Sequence, residues 1–335
     1  MTQKNIPIFL ASNDRYSPFV ATNIASISYN TKSNIDFYIL DSGITNFRKK
    51  QICELKKKFS HISIEFVKID FNNFSNFKTN GHFTLDIYSR ILIPEIKPDL
   101  DRAIYLDVDT ISLGNINELY QQNLGDYILG AVPEYYAFDE KNAIKERCGI
   151  DKEHKYFNSG VLLIDCEKWR KNKITQKILS LENELHDKIQ FPDQDLLNKY
   201  FENNYRDLDI KYNLLNGQIS FKSDSPIEIQ KNVDAAILDT QIKHFEGLDK
   251  PWINNESFGL KTIYFHEFWF FAKMTNFYDG LLSDFIVHNL KQNAPKKQKT
   301  IKFLKIIPLI KIKRKLNKSK IYLFNFIPLL TIKSK

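Results

Sequence analysis

The rhythm of apolar and polar positions changes several times along the first hundred residues. Residues 6–12 (IPIFLAS), 36–42 and 63–70 are short apolar or alternating runs rich in Ile, Phe and Val, which is the pattern of strands. Between them, residues 16–29 and the Lys-rich stretch 46–59 repeat their apolar positions at helical spacing, and residues 85–96 (LDIYSRILIPEI) do so again before the strand-like AIYLDVD. Strands that alternate with helices of this length predict a mostly parallel sheet covered on both faces, and such sheets bind ligands at the carboxyl ends of their strands. Three of these ends turn abruptly polar: Ser12 to Arg15, Asp41-Ser42, and Asp107-Val108-Asp109. They are expected to line one crevice.

Beyond Asp109 the pattern loosens. Residues 127–132 (YILGAV) and 157–165 (FNSGVLLID) predict strands, and residues 166–185 and 193–204 predict helices. Residues 208–249 are mixed, and residues 265–290, with the aromatic run HEFWFF, predict one packed helix. The globular part is expected to end near Leu290, with a first half over about residues 1–115 and a second over about 116–290. A chain of 335 residues that is 43% hydrophobic can bury a core of that size.

Charge separates the rest. The whole chain carries +8, but residues 291–335 hold fourteen Lys or Arg and no Asp or Glu, so the remainder carries −6. This tail repeats itself: IKFLKIIPLIKIK (301–313) and IYLFNFIPLLTIK (321–333) align twenty residues apart. Cations interleaved with Ile, Leu and Phe favour an anionic membrane surface over nucleic acid, which rewards charge and stacking more than buried isoleucine. Pro308 and Pro328 would interrupt a continuous helix, so short amphipathic pieces are expected. No apolar stretch approaches the roughly 18 to 20 residues of a membrane span, and the start lacks a signal-peptide pattern. Cys53, Cys148 and Cys166 are odd in number and far apart, which suggests free thiols in a reducing cytoplasm.

The chemistry centres on AIYLDVD. In an extended strand, residues i and i+2 point to one side, so Asp107 and Asp109 would face one small volume. Two carboxylates that close repel unless a proton or cation lies between them, and a hard divalent ion with room for a phosphate suits them. A DxD pair by itself can equally cap a turn. No GxG pair or GxxxxGK is present to cradle phosphate with backbone amides, so a bound nucleotide would need metal and side-chain cations. Arg90, before the DxD strand, and HFEGLDKPW (244–252), with a histidine, a glycine and a lysine, supply such groups.

The segments ASNDRY (11–16), YSR (88–90), YLDVDT (105–110), YFNSGVLLID (156–165), DQDLLN (193–198) and HFEGLDKPW occur in the order seen in family 8 glycosyltransferases. The chain resembles above all the bacterial lipooligosaccharide galactosyl- and glucosyltransferases of that family, from about Ile8 to Trp252. The resemblance implies the GT-A fold, a Rossmann-like, mostly parallel α/β sheet flanked by helices, and a metal-dependent hexose transfer with retention from UDP-galactose or UDP-glucose. It implies that Asp107, Asp109 and His244 hold Mn²⁺, with Mg²⁺ the alternative. It places Ala11, Ser12, Asn13, Arg15 and Tyr16 against base and ribose, with Asn13 where Asp is more usual and Arg15 where Asn or Lys is often found.

By the same resemblance, Arg90 and Val108 lie near the donor, and Gly247 and Lys250 belong to the loop that closes on the diphosphate. Asn158, Ser159, Asp193 and Gln194 surround the transferred hexose, with Asp193 and Gln194 as the catalytic pair. Glu134 stands near the acceptor, where relatives often carry Asp. The implied acceptor is a lipid-linked oligosaccharide, reached by a cytoplasmic enzyme held peripherally at the inner face of the bacterial membrane. Two other readings share the motifs: a protein- or self-glycosylating transferase like glycogenin, and a catalytically idle nucleotide-sugar or membrane-binding protein.

Overall fold

The computed structural model describes residues 4–70, 77–78, 85–135, 138–253, 264–292, 299–303, 307–315, 318–323 and 327–333. Ten strands precede the tail: β1 (Ile6–Ser12), β2 (Ile35–Asp41), β3 (Ile62–Lys68), β4 (Arg102–Leu106), β5 (Thr110–Ser112), β6 (Leu129–Pro133), β7 (Phe157–Asp165), β8 (Arg206–Asp207), β9 (Leu214–Leu215) and β10 (Ile242–His244). Seven of them form a central sheet in the order β3-β2-β1-β4-β7-β6-β8. β3, β2, β1 and β4 run parallel, and β7 is antiparallel to both its neighbours. Ile8, Phe9, Leu10, Ile104, Tyr105 and Leu106 are all buried, as expected of strands covered on both faces.

This order fixes the site. The chain steps outward from β1 to β2 and β3, then returns to place β4 on the other side of β1. A reversal of this kind opens a crevice at the carboxyl ends of the two strands where it occurs. Ser12 ends β1, and Asp107 follows the last residue of β4.

Here one sequence expectation fails. Asp107 to Asp109 are not extended: β4 stops at Leu106, and the chain turns into β5, which belongs to a second, three-stranded sheet in the order β5-β10-β9. The turn is held from three sides. Asp107 N–H donates to Gly160 O on β7 (2.8 Å), Thr110 N–H returns to Asp107 O (3.3 Å), and Asn23 Nδ2 donates to Thr110 O (3.0 Å) and Thr110 Oγ1 (2.6 Å). The two carboxylates meet because a pinned turn aims them together, and strand parity has no part in it.

Other departures have local causes. The helix expected over residues 85–96 is a 3-10 stretch, Leu85–Leu92, followed by a short α-helix, Ile93–Ile96. Pro94 lacks an N–H and can stand only in a first turn, so the helix must restart there. The helix expected over residues 265–290 is two, Phe265–Ala272 and Tyr278–Gln292. Between them the Thr275 hydroxyl donates to Ala272 O (2.8 Å) and accepts from Phe277 N–H (3.2 Å).

The chain divides into two compact units, Met1–Pro251 with Glu256–Leu281, and Trp252–Asn255 with Leu282–Lys335. In the second unit the described tail residues are strands: β11 (Lys299–Phe303), β12 (Ile307–Lys315), β13 (Lys318–Leu323) and β14 (Ile327–Lys333), paired antiparallel in that order. The two copies of the repeat pair alike. Phe303 faces Ile307 as Leu323 faces Ile327, and Ile301 faces Ile310 as Ile321 faces Leu330. The register slips in each copy next to the pair that contains proline, Lys302–Pro308 and Tyr322–Pro328.

Candidate active site

His244 reaches the DxD turn through strand pairing across a wide gap in sequence. β10 lies antiparallel to β5 with His244 opposite Thr110, and Phe245 N–H donates to Asp109 O (2.9 Å). His244 Nε2 is thereby placed 3.1 Å from Asp109 Oδ1 and 3.9 Å from Asp107 Oδ2. One ligand atom from each residue falls within 4.8 Å of the others.

The histidine is buried, at 3% exposure, while the carboxylate side chains are 27% and 21% exposed, so the cluster opens on the carboxylate side. Two carboxylate oxygens and one imidazole nitrogen form a suitable donor set for a divalent first-row ion. The electrostatics also suit a cation. Burial alone would lower the His244 pKa, but the charge and hydrogen bond of Asp109, with Asp107 behind, outweigh it and leave the pKa raised. Burial pushes Asp109 the opposite way, yet Lys250 and His244 hold its carboxyl well below the ordinary range.

Arg90 ties this cluster to a second group of residues. It is buried at the end of the 3-10 stretch, and Nε donates to Ile87 O (3.0 Å). Its Nη2 pairs with Asp107 Oδ1 (3.0 Å), and Nη1 pairs with Asp193 Oδ2 (3.1 Å) and donates to Ser159 O (2.8 Å). Burial works against this guanidinium's charge, and Asp107 and Asp193 more than offset it, so the arginine stays charged. The plane lies over the Tyr105 ring, 4.4 Å from its centroid, and Tyr105 O–H also donates to Asp107 Oδ1 (2.7 Å).

Asp193 occupies the first turn of helix Pro192–Tyr200, whose N-cap is Phe191. Burial raises its pKa, Arg90 works against that rise, and Ser159 Oγ donates to it (2.8 Å). Gln194 Oε1 accepts from Ser159 N–H (3.0 Å) and Asn158 Nδ2 (3.2 Å), while its Nε2 donates to Glu134 Oε1 (3.3 Å). Glu134 Oε1 takes a second bond from Asn158 Nδ2 (3.0 Å). Asn158, Ser159, Asp193, Gln194 and Glu134 therefore form one buried polar network, which joins the metal-type cluster through Arg90.

The β1 end is separate. Ala11 and Ser12 close the strand, Asn13 Oδ1 caps the following 3-10 turn by accepting from Tyr16 N–H (3.4 Å), and the Arg15 guanidinium lies 5.9 Å from the Tyr16 ring centroid. Asp14 and Asp41 are committed locally. Asp14 pairs with Arg48 (3.2 Å), and Asp41 accepts from the backbone of Gly43 and Ile44 and pairs with Lys49. Among the described residues no hydrogen bond or ion pair joins Asn13, Arg15 or Tyr16 to the DxD carboxylates. Val108 is the middle of the DxD turn. Gly247 turns the next loop with a φ of +73°, which favours glycine, and Lys250 from that loop pairs with Asp109 Oδ2 and Phe245 O.

A model of glycosyl transferase family 8 matches residues 7–256. The chain belongs to that family. This glycosyltransferase is 30% identical over 266 residues to general stress protein A of Bacillus subtilis, spanning 77% of the chain and 91% of that protein. It is 29% identical over 245 residues to a lipopolysaccharide 1,2-glucosyltransferase of Escherichia coli, spanning 72% of the chain and 71% of that enzyme. The galactosyltransferase LgtC, solved with donor and acceptor sugar analogues, superposes with a TM-score of 0.72 at 24% identity, covering 81% of this chain and 96% of LgtC. The shared architecture is the GT-A fold expected from the sequence.

Several residues that shape the site were not singled out from the sequence. Tyr105 carried a signal, since it stands two positions before Asp107. Asn23 and Asn213 carried none, because each acts on a partner far away in the chain. Gly160 follows Ser159, and a Cβ there would lie 2.4 Å from His244 Cε1 and 2.7 Å from Asp107 Oδ2, so only glycine lets β7 pass behind the cluster.

Proposed function

We propose that this glycosyltransferase moves galactose or glucose from UDP, with retention of configuration and with Mn²⁺ or Mg²⁺ bound, to a lipid-linked oligosaccharide of the lipopolysaccharide type. The observation that carries the reading is the convergence of Asp107, Asp109 and His244 at the reversal of strand order, flanked by Arg90 and Lys250. Asp107, Asp109 and His244 would hold the cation. When bound, it supplies positive charge for the donor diphosphate. Lys250 adds charge on the loop side, and Ala11 to Tyr16 face uridine across the crevice.

Arg90 keeps Asp107 and Asp193 in fixed relation, so the site's charges are set before the donor arrives. Gln194 Oε1 is already engaged by Ser159 and Asn158, and Asp193 by Arg90 and Ser159. Neither is arranged as an uncommitted nucleophile. This favours attack on the face that UDP leaves over a covalent glycosyl intermediate.

The lipopolysaccharide acceptor draws on the activity named for the Escherichia coli relative. The fourteen Lys and Arg of residues 291–335 suit anionic lipid headgroups, at about 1 kcal/mol each near the surface. Among the described residues no helix is long and apolar enough to cross a membrane. We place the enzyme in the cytoplasm, peripheral to the inner face of the membrane.

The test is release of UDP from UDP-galactose and, separately, UDP-glucose, with Mn²⁺ or EDTA and with detergent-solubilised glycolipid acceptor. Release from one donor that depends on Mn²⁺ and is lost in Asp109→Ala is the expected result. Release that persists in EDTA would overturn the metal assignment, and release from neither donor would overturn the sugar assignment.

A further inference from the structure

The polar groups behind His244 have an order that their hydrogen bonds dictate. A backbone N–H can only donate, so the Asn158 side-chain atom 2.9 Å from Gly160 N is the carbonyl oxygen, Oδ1. A second donor reaches the same oxygen, Asn213 Nδ2 at 2.9 Å. The Asn213 amide must then turn its oxygen the other way, and that oxygen lies 3.0 Å from His244 Nδ1. An amide oxygen can only accept, so Nδ1 carries a hydrogen. Nε2 is the nitrogen that faces Asp109 and Asp107; without a cation its hydrogen can go to Asp109, and once a cation displaces that hydrogen Nε2 offers its lone pair while Nδ1–H stays on Asn213.

We propose that Asn213 is a positioning residue that locks His244 in the Nδ1–H tautomer and presents Nε2 as a ligand to a divalent cation; this rests on the metal reading above. Asn213, Asn158 and His244 are all buried, so water does not compete for these bonds. The fold supplies the placement. Asn213 directly precedes β9, which runs parallel to β10 with His244 opposite Leu215.

At its far end the relay enters the other half of the site. Asn158 Nδ2 donates to Glu134 and Gln194, so its four amide hydrogen bonds are all made within the protein. Asn158 thus sets the direction of Asn213 while it braces the Gln194 side. Groups that orient a metal-bound histidine are worth about 10- to 100-fold in metal affinity.

The experiment is nitrogen-15 NMR of the histidine-labelled, metal-free protein in an Asp109→Ala background, which removes the carboxylate that competes for the Nε2 hydrogen, at an alkaline pH where His244 is neutral, followed by Mn²⁺ titration of the same Asn213 variants with Asp109 restored. With wild-type Asn213, His244 is expected to be protonated at Nδ1 alone. Asn213→Ala is expected to give a mixture of tautomers and an Mn²⁺ affinity about 10- to 100-fold lower. Asn213→Asp keeps an acceptor for Nδ1 but no donor for Asn158, and is expected to keep the tautomer and remain within a few-fold of wild-type affinity. A filler role alone would lower the melting temperature of both variants without moving the tautomer.

In that background, a His244 protonated at Nε2 with wild-type Asn213 overturns the proposal, whether or not the alanine variant folds. Unchanged tautomer and affinity in a folded Asn213→Ala also overturn it. An Nδ1–H tautomer with wild-type Asn213 that is lost in Asn213→Ala, with no Mn²⁺ bound once Asp109 is restored, supports the positioning role and defeats the metal reading alone.

Discussion

The ends of β1 and β4 stand side by side at one crevice and are built on opposite plans. At the β4 end, Asp107 is gripped by Arg90 and Tyr105, Asp109 by Lys250 and His244, and the turn that carries them by Asn23 and Gly160. At the β1 end, Asn13 caps its own turn, while Tyr16 is 38% exposed with Arg15 beside it. In the proposed reading the β4 end meets a diphosphate, and charge that must be ready for one is costly to rearrange, which fits its being held by buried partners. In the proposed reading the β1 end receives a planar base, which asks mainly for a surface. The crevice therefore has one charged wall held by buried partners and one more exposed, aromatic wall.

The largest effects should come from the charged wall. Asp109→Ala is expected to lower the rate of UDP release by about a hundredfold or more, because on the proposed reading it removes a fixed charge beside the diphosphate. A drop of only a few-fold would remove the DxD turn from the chemistry. Arg90→Ala leaves Asp107 and Asp193 without their shared partner, and should cost about 3 to 5 kcal/mol of stability in denaturant titration. Retention of the wild-type midpoint would show that Arg90 is not the tie between the two halves of the site.

The wall should also respond to protons with a definite sign. The His244 pKa is raised in the metal-free protein, so its proton persists to higher pH than in a free histidine, and a metal must displace it. Mn²⁺ affinity should climb as pH rises above the ordinary histidine pKa and level off once it passes the raised one. The stability that the His244–Asp109 pair gives the metal-free protein runs the other way. It is complete below the unfolded pKa and lost as pH rises through the folded one. A flat Mn²⁺ affinity over this range would contradict both.

Lys250→Met sharpens the contrast, because the two ligands should move oppositely. The ammonium now on Asp109 competes with a cation there, so Mn²⁺ binding without nucleotide should strengthen by about three- to tenfold while UDP release slows. Weaker Mn²⁺ binding in this variant would show that the lysine supports the cation site. The smallest effect belongs to the other wall. Tyr16→Ala should raise the donor KM by about tenfold, the size of one lost stacking contact, with little change in kcat. A fall in kcat as large as that of Asp109→Ala would erase the distinction between the walls.

Much of the frame was legible because it is local. The alternation over residues 6–70 records strands buried on both faces and the helices between them, and the polar ends of β1 and β4 marked the crevice. Three unpaired cysteines were also readable from their spacing, and all three are free in the structure. The route by which Asp107 and Asp109 converge was not legible. Two residues of period predict the same outcome as a pinned turn, and only the partners, Asn23 and Gly160, tell them apart. His244 could be placed only through family resemblance, since its nearness to Thr110 is made by antiparallel pairing of distant segments. Asn213 left no trace, because an asparagine in KYNLLN reads as a turn residue until β9 brings it behind His244.

The central claim is that Asp107, Asp109 and His244 form one cation site, and electron paramagnetic resonance of Mn²⁺ titrated into the purified protein tests it most directly. The account predicts one bound Mn²⁺ per chain, lost in Asp109→Ala and tightened when UDP is added. Free Mn²⁺ throughout the wild-type titration, with and without UDP, would contradict it.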